Sequence, residues 1–216
     1  MFTGIISVVG RVERTEARGP GLRLVVRPLV ETTQPGPGGD AAALMAGGGP
    51  GVGDSIAVNG CCLTLAASAE RGDLAFDVVR ETLDKTTLGE LRPGAVVHLE
   101  PSATMGTLLG GHLVQGHVDG VAVVERVQET PGDWRVWLRP PPDLMAYVVP
   151  KGSIAIDGVS LTIAGVDPNA GSFYVALIPT TLAKTSLGDL KAGSRCNIEC
   201  DAIAKTVVHY LRHYRA

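Results

Sequence analysis

An internal repeat is the feature that most limits what this chain of 216 residues can fold into. The stretch KGSIAIDGVSLTI, residues 151–163, matches GDSIAVNGCCLTL, residues 53–65, in register at Ser, Ile, Ala, Gly, Leu and Thr positions. The twenty-residue stretches that end at Glu100 and Glu199 also align with each other. Both halves of the chain therefore contain the same succession of segments.

Two copies of roughly 100 residues each have the commonest size of a protein domain. The repeat therefore predicts three parts in the chain. These are a first domain over residues 1–100, a second domain over residues 101–200 and a tail over residues 201–216.

Within each copy the apolar runs are short, β-branched and interrupted by glycine, as in LRLVVRP, SIAVNG, CLTLAA and LAFDVV. This pattern predicts about six antiparallel strands per copy. The stretch ETLDKTTLG predicts a short helix before the last strand, and PPDLMAYV, residues 141–148, begins a second short helix. Six strands with little helix favour a small closed barrel, because closure leaves no sheet edge. We expect an all-β fold of two tandem six-stranded barrels.

The first copy carries extra residues near its middle. Gly4 to Asp54 spans 50 positions, whereas the matching Gly116 to Gly152 spans 36, so the first copy is longer by 14. The surplus falls in the Gly- and Pro-rich stretch at residues 33–53. Such a composition predicts a mobile surface loop that contributes little packing.

The tail departs from the strand pattern. Its apolar residues recur at spacings of three and four and form one stripe of a terminal helix, namely Ile203, Val207, Tyr210, Leu211 and Tyr214. A stripe of this kind packs either on its own barrel or on the helix of a second copy. Because the helix follows two barrels that are already closed, self-association is the favoured interpretation.

Composition argues against several classes of protein. With 19 Lys and Arg against 22 Asp and Glu, the chain has no cationic surplus to neutralise phosphates, which disfavours nucleic-acid binding. The apolar runs are too short to span a bilayer, and the N-terminus lacks the basic region of a signal peptide. The four cysteines lack the spacing of a zinc site or a disulfide framework. We expect a cytoplasmic protein with a small-molecule partner and no membrane association.

Six motifs in order link the chain to a known family: MFTGII, NGCCLT, GGHLVQGHVDG, KGSIAIDGVSLT, LIPTTL and NIECD. Together they resemble riboflavin synthase of the α-chain type, which is built of two lumazine-binding Greek-key barrels. The resemblance covers the whole chain except the extra residues of the first copy. It implies a transferase that acts in riboflavin biosynthesis.

The resemblance also implies the reaction and the assembly. Two molecules of 6,7-dimethyl-8-ribityllumazine dismutate by transfer of a four-carbon unit, giving riboflavin and a pyrimidinedione, without a cofactor. The implied assembly is a homotrimer held by the C-terminal helices, with each active site between two subunits. Lumazine synthase is a candidate partner. Two identical substrates require two similar pockets, which accounts for the duplication.

Positions that match the family's ligand-contacting segments occur in both copies. In the first copy these substrate-binding residues are Gly4, Ile5, Ile6, Cys62, Leu63, Thr64, Asp77 and Thr82. In the second copy they are Gly116, His117, Val118, Lys151, Ser160, Leu161, Thr162, Ala176, Ile178 and Thr181. The resemblance further implies six catalytic residues: Ser160, His117, Thr162, Asp201, Cys62 and Lys151.

Differences between the copies bear on the mechanism, because a dismutation makes one substrate the donor and its twin the acceptor. The first copy has Ile5, Asn59 and Cys62 at the positions where the second has His117, Asp157 and Ser160. Through the resemblance we expect the Ser160 and Asp201 pair to handle the nucleophile. We likewise expect His117 and Thr162 to lie near the transferred proton.

Each of these residues also has a simpler interpretation. Thr64 and Thr162 lie inside apolar strands, where a threonine often only satisfies backbone groups. His112 and His117 are separated by glycines, so a metal pair is disfavoured and no metal site is expected. The rival function is that of a lumazine-carrying antenna protein, which binds the chromophore without turnover. The polar groups of the second copy favour the enzyme.

Overall fold

The computed structural model describes residues 1–29, 44, 49–68 and 72–214. Within this part of the chain, twelve strands form two closed antiparallel barrels of six strands each, as predicted. The first barrel contains β1 (Val8–Arg18), β2 (Gly21–Pro28), β3 (Ser55–Val58), β4 (Cys61–Ser68), β5 (Leu74–Val78) and β6 (Val96–Pro101). The second contains β7 (Gly120–Thr130), β8 (Asp133–Arg139), β9 (Ser153–Ile156), β10 (Val159–Asp167), β11 (Ser172–Leu177) and β12 (Arg195–Cys200).

The repeat in the sequence is a repeat of strand pairing. Around the first barrel the strands follow the order β1, β2, β5, β4, β3, β6, and around the second the order β7, β8, β11, β10, β9, β12. Alternate side chains fill each interior, so the first core contains Leu24, Leu65 and Phe76, all fully buried. Leu138 and Phe173 lie at matched depth in the second core.

The short helices lie where the sequence predicts them. A helix, α1 (Arg80–Lys85), and a 3₁₀ turn (Thr87–Glu90) precede the last strand of the first barrel. Their counterparts in the second barrel are α2 (Pro179–Lys184) and a 3₁₀ turn (Ser186–Asp189), and a further 3₁₀ turn spans Pro142–Tyr147. The chain continues into α3 (Ala202–His213). None of the helices that the structure describes is long and apolar enough to cross a bilayer.

The extra segment of the first copy, residues 33–53, falls mostly outside the described residues. Leu44 is described, and its side chain is buried in the core of the first barrel with 2% of its surface exposed. The expectation that this segment contributes little packing is therefore wrong at Leu44, because a buried leucine stabilises the barrel by removing apolar surface from water.

Helix α3 is fixed to the second barrel at its start. The Asp201 carboxylate caps it by accepting hydrogen bonds from the backbone N–H groups of Ile203 (2.7 Å) and Ala204 (3.3 Å). The Lys205 ammonium contacts the Asp119 carboxylate at 2.9 and 3.0 Å. The predicted stripe remains largely exposed, with 75% exposure at Ile203 and 61% at Tyr210. The predicted helix is confirmed, but it does not bury its stripe on its own barrels.

The two barrels meet where two hairpin turns touch. Asn59 and Gly60 connect β3 to β4 and have φ angles of 44° and 75°, while Asp157 and Gly158 connect β9 to β10 with 45° and 82°. A Cβ atom on Gly60 would lie 2.6 Å from the backbone nitrogen of Gly158, and one on Gly158 would lie 2.7 Å from that of Gly60. Both turns therefore need glycine for two reasons: the left-handed backbone and the close approach of the other turn.

Hydrogen bonds cross this contact in a matched pattern. Asn197 Oδ1 accepts from the Thr87 N–H at 2.8 Å, and its Nδ2 donates to the Asn59 carbonyl at 2.8 Å. At the matched position His98 Nε2 accepts from the Ser186 N–H at 2.9 Å, so Nδ1 donates to the Asp157 carbonyl at 2.8 Å. Burial lowers the pKa of His98 to about 4, which keeps its imidazole neutral.

Asn59 and Asp157 belong to this contact and not to a ligand pocket, which corrects the expectation that they supply polar chemistry there. The Asn59 Oδ1 accepts from the His98 N–H at 2.7 Å, and the Asp157 Oδ1 accepts from the Asn197 N–H at 2.8 Å. Burial raises the pKa of Asp157 to about 7. The change from Asn59 to Asp157 between the copies therefore alters the contact between the barrels and not a groove.

The contact between the turns predicts that one added methyl group at Gly158 lowers the free energy of unfolding strongly. Gly158→Ala combines left-handed strain of about 1 kcal/mol with an overlap that forces the turns apart, for a total loss of about 2–4 kcal/mol. Gly193→Ala is the matched control, because Gly193 has a φ of 88° but nothing within 4 Å of its Cβ position. Thermal unfolding should show a drop several degrees larger for Gly158→Ala. Equal drops would mean that the turn contact contributes nothing to stability.

Candidate functional site

Two short segments cross between the halves of the chain and pair with each other. The first crossing segment is residues 2–6 and the second is residues 114–118. The Phe2 N–H donates to the Val114 carbonyl at 2.7 Å, and the Val114 N–H donates to the Phe2 carbonyl at 3.0 Å. Phe2 is fully buried in the small apolar cluster between the barrels. A single antiparallel bridge therefore joins the two segments at the barrel junction.

Each crossing segment lies on the barrel of the other half. The Ser160 N–H donates to the Gly4 carbonyl and the Cys62 N–H donates to the Gly116 carbonyl, both at 2.8 Å. A Cβ on Gly4 would lie 2.6 Å from the Cβ of Ser160, and one on Gly116 would lie equally close to that of Cys62. Glycine therefore lets each segment lie directly on the strand that carries the polar residue.

Side-chain packing shows the same crossing. Ile6 is buried in the core of the second barrel, and Val118 packs against the core of the first. The expected grouping of site residues is corrected accordingly: Gly4, Ile5 and Ile6 lie with Ser160, whereas Gly116, His117 and Val118 lie with Cys62. The aligned sequence identifies matched positions but not the barrel that each one covers.

Buried carboxylates hold both crossing segments in place. Glu100, in β6, accepts hydrogen bonds from the Thr3 N–H (2.7 Å), the Thr3 hydroxyl (2.8 Å) and the Gly4 N–H (3.1 Å). Glu199, at the matched position in β12, accepts from the N–H groups of Gln115 (2.7 Å), Gly116 (2.9 Å) and His117 (3.0 Å).

Burial raises the pKa of both carboxyl groups, while the donated hydrogen bonds oppose the rise by favouring the charged form. Each of the two crossings therefore depends on one enclosed carboxyl group, Glu100 or Glu199.

The first groove lies on the outer face of β4. A cavity of about 380 Å³ opens there between Cys62, helix α1 and the second crossing segment. Cys62 is half-buried, and Thr64 is exposed two residues further along the same face. His117 lies at the edge and is exposed. The lining residues are Cys61, Cys62, Glu81, Thr82, Lys85, Thr86, Gly116, His117, Val118 and Asp119.

The face of β10 that matches the first groove, here called the second groove, carries Ser160 and Thr162. It contains a hydroxyl and imidazole pair that the sequence analysis missed. Ser160 Oγ lies 2.7 Å from His112 Nδ1. Gly111 lies directly over the serine, since a Cβ there would be 2.8 Å from the Ser160 Cβ. Burial lowers the pKa of His112, and the nearby Asp201 carboxylate opposes that effect. Burial therefore favours the neutral imidazole, which is the form able to accept a proton.

His112 lies ahead of the aligned stretch that begins at Gly116, so the repeat gives it no matched position. The sequence signal is the motif GGHLVQGHVDG, in which the pattern alone suggests His112 only as a metal ligand. The expected Ser160 and Asp201 pair is not formed: among the described residues no hydrogen bond joins them, because the Asp201 carboxylate caps α3.

Other predicted residues divide between the groove face and the barrel interior. Thr162 is exposed on the same face of β10 as Ser160. Leu63 and Leu161 point into the barrel cores, so only their backbone groups can face a ligand. Asp77 is already paired, because Arg23 contacts both of its carboxylate oxygens at 2.6 and 2.7 Å.

The remaining predicted residues lie around α1, α2 and the start of β9. Ala176 and Ile178 are exposed where β11 leads into α2, and Thr181 is half-buried on that helix, as Thr82 is on α1. Lys151 is exposed and has a φ of 65°, whereas the matched Gly53 has 98°. A lysine in this conformation is strained, which is a feature common at functional sites.

No cluster of three or more His, Cys, Asp or Glu side chains that could hold a metal ion occurs in the described part of the chain. The grooves instead offer thiol, hydroxyl, imidazole and backbone groups. Such groups suit the binding of a polar heterocycle and proton transfer.

Comparison with known proteins gives matches over nearly the whole chain. A model of the lumazine binding domain matches residues 3–102 and 115–201. The riboflavin synthase of Mycobacterium tuberculosis is 43% identical over 98% of both chains. That of Bacillus subtilis is 36% identical over 98% of this chain and 90% of its own. A crystal structure of LumP complexed with riboflavin has a TM-score of 0.78 at 27% identity and covers 93% of this chain and 100% of LumP.

The two carboxylates predict separate local effects. Glu199→Gln places an N–H donor where a carboxylate oxygen accepted, which leaves a buried backbone N–H unpaired at a cost of about 1–3 kcal/mol. Hydrogen exchange should accelerate at Gln115, Gly116 and His117. Glu100→Gln should accelerate exchange at Thr3 and Gly4 instead, so each variant is the control for the other. If both variants loosen the same segment, or neither, the carboxylates do not hold the crossings.

Proposed function

Because the chain belongs to the riboflavin synthase family, which is built from two lumazine-binding domains, we propose that it dismutates 6,7-dimethyl-8-ribityllumazine. One substrate molecule donates a four-carbon unit to a second, giving riboflavin and 5-amino-6-ribitylaminopyrimidinedione. The observation that carries the proposal is the pair of grooves. They have the same backbone construction but differ in their polar groups, as a donor and an acceptor of identical structure require.

The second groove is proposed to perform the proton chemistry. The neutral imidazole of His112 accepts the Ser160 hydroxyl proton at Nδ1, across the 2.7 Å hydrogen bond. The hydroxyl, or a water molecule activated in the same way, can then add to the C7 carbon of the acceptor. Asp201 acts on this pair through its charge, since its carboxylate favours the imidazolium that forms. Thr162 and Lys151 are proposed to contact the substrate from the same face.

The first groove is proposed to bind the other substrate molecule. Cys62 faces it from β4 and Thr82 faces it from α1, and Thr64 is exposed further along the same face of β4. His117 completes the edge from the second crossing segment. The catalytic part proposed for His117 is therefore in this groove, next to Cys62. Proton removal from the C7 methyl group of the bound lumazine requires a base, and His117 is proposed to act as that base.

The assembly is proposed to be a homotrimer that joins through α3 and places the first groove of one subunit against the second groove of the next. The exposed stripe on α3 supports this proposal, because a row of apolar side chains without a partner favours association. We also propose a cytoplasmic location, which the four free thiols support. Lumazine synthase, which would supply the substrate, is a proposed partner.

The rival proposal is a protein that holds the chromophore without converting it, and the likeness to LumP complexed with riboflavin favours it. Identity with LumP is 27%, against 43% and 36% with the two synthases. The Ser160 and His112 pair also has no evident use in binding alone. The enzyme is therefore the better-supported proposal.

A turnover assay distinguishes the two proposals. The full-length chain is incubated with 6,7-dimethyl-8-ribityllumazine while absorbance and fluorescence report riboflavin. The dismutation requires two lumazine molecules consumed for each riboflavin formed. Saturable binding of lumazine with no riboflavin formed would favour the antenna function and refute the synthase proposal.

Substitution of the pair should reveal that its members act together. Ser160→Ala and His112→Gln should each lower kcat by about 100-fold or more, the usual contribution of a positioned proton-transfer group. Because the two act as one unit, the double variant should be no slower than either single variant. Thermal unfolding checks that each variant is folded. Wild-type rates in a folded single variant, or losses that multiply in the double variant, would contradict the proposed pair.

A further inference from the structure

Two histidines lie side by side on the terminal helix and do not line the first groove. His209 and His213 are four residues apart on α3, so their side chains project from the same face one turn apart. Their ring centres are 4.6 Å apart and the ring planes are tilted by 45°. Both residues are exposed, and neither has a part in the proposed reaction.

This spacing is compatible with a metal ion shared by the two rings. A first-row ion binds imidazole nitrogen at about 2.1 Å. Two rings bound at neighbouring positions of a tetrahedral or octahedral ion then have their centres roughly 4.5–5.3 Å apart. The observed 4.6 Å falls within this range. The same spacing of two histidines on one helix face holds zinc in H-E-x-x-H motifs.

Among the residues that the structure describes, Lys205 and Arg212 are the nearby cations, and both have partners elsewhere. The Lys205 ammonium is held by the Asp119 carboxylate. The Arg212 guanidinium lies over the ring of Tyr147, at 5.8 Å from its centre. The pair also lies in the last two turns of the helix, where the unpaired carbonyl groups favour a positive charge.

We infer that His209 and His213 form a binding site for one divalent first-row ion of the kind that prefers imidazole, such as Ni²⁺, Cu²⁺ or Zn²⁺. The two imidazoles supply two ligands and water supplies the rest. The site is built by a single helix, so each chain binds one ion. Affinity follows the order of imidazole preference, with Cu²⁺ above Ni²⁺ and Mn²⁺ weakest.

Calorimetric titration of the untagged, full-length chain with Ni²⁺ tests this inference. The wild type should bind one ion per chain. His209→Gln and His213→Gln should each weaken the affinity at least tenfold, because the ion then keeps only one of its two bonds to imidazole nitrogen. An affinity unchanged in both variants, or one ion bound for every two or more chains, would overturn the inference.

A spacing variant separates a chelating pair from a mere abundance of histidine. His209→Gln combined with Arg212→His keeps two histidines on the helix but places them at neighbouring positions, on different faces. It should bind as weakly as the single variants. Arg212→Gln is the matched control, since it removes the arginine while keeping the pair, and it should bind as the wild type does. Wild-type affinity in the spacing variant would also overturn the inference.

Discussion

Two buried carboxylates, Glu100 and Glu199, are the interactions on which the rest of the structure depends. Each accepts three hydrogen bonds from a segment that crosses to the opposite barrel, and so fixes the backbone that forms one wall of a groove. A carboxylate suits this position because it only accepts hydrogen bonds, and the crossing backbone presents only donors to it. Each carboxylate therefore anchors the crossing segment that forms the second wall of one groove.

The repeat builds two grooves of one shape, and the departures from the repeat make them chemically different. At the point of closest backbone approach the first barrel has the thiol of Cys62 and the second has the hydroxyl of Ser160. The stretch between the two copies then adds His112 to the second groove alone. In the proposed reaction, duplication provides for the binding of two identical molecules and the asymmetry for their different fates.

The barrels, the short helices and the terminal helix could be predicted from the sequence, because local periodicity and glycine positions determine them. The crossing could not, since aligned copies show that Gly4 matches Gly116 but contain no information about which barrel each segment covers. The alignment likewise places Asn59 and Asp157 among the differences that bear on the mechanism, although they meet at the barrel junction. The pairing of His112 with Ser160 could not be predicted, because the two residues are 48 positions apart in the chain. Contacts of that range depend on the closed fold.

The central claim is that the first groove of one chain works with the second groove of another. It is tested most directly by mixing two inactive variants: Thr64→Arg, which obstructs the exposed face beside Cys62, and Ser160→Ala, which disables the second groove. Each alone should be nearly inactive, because every site then includes one defective groove. Mixed oligomers, verified by mass, should regain a fraction of wild-type riboflavin synthesis, since some sites combine two intact grooves. Persistent inactivity in verified mixed oligomers would contradict the account.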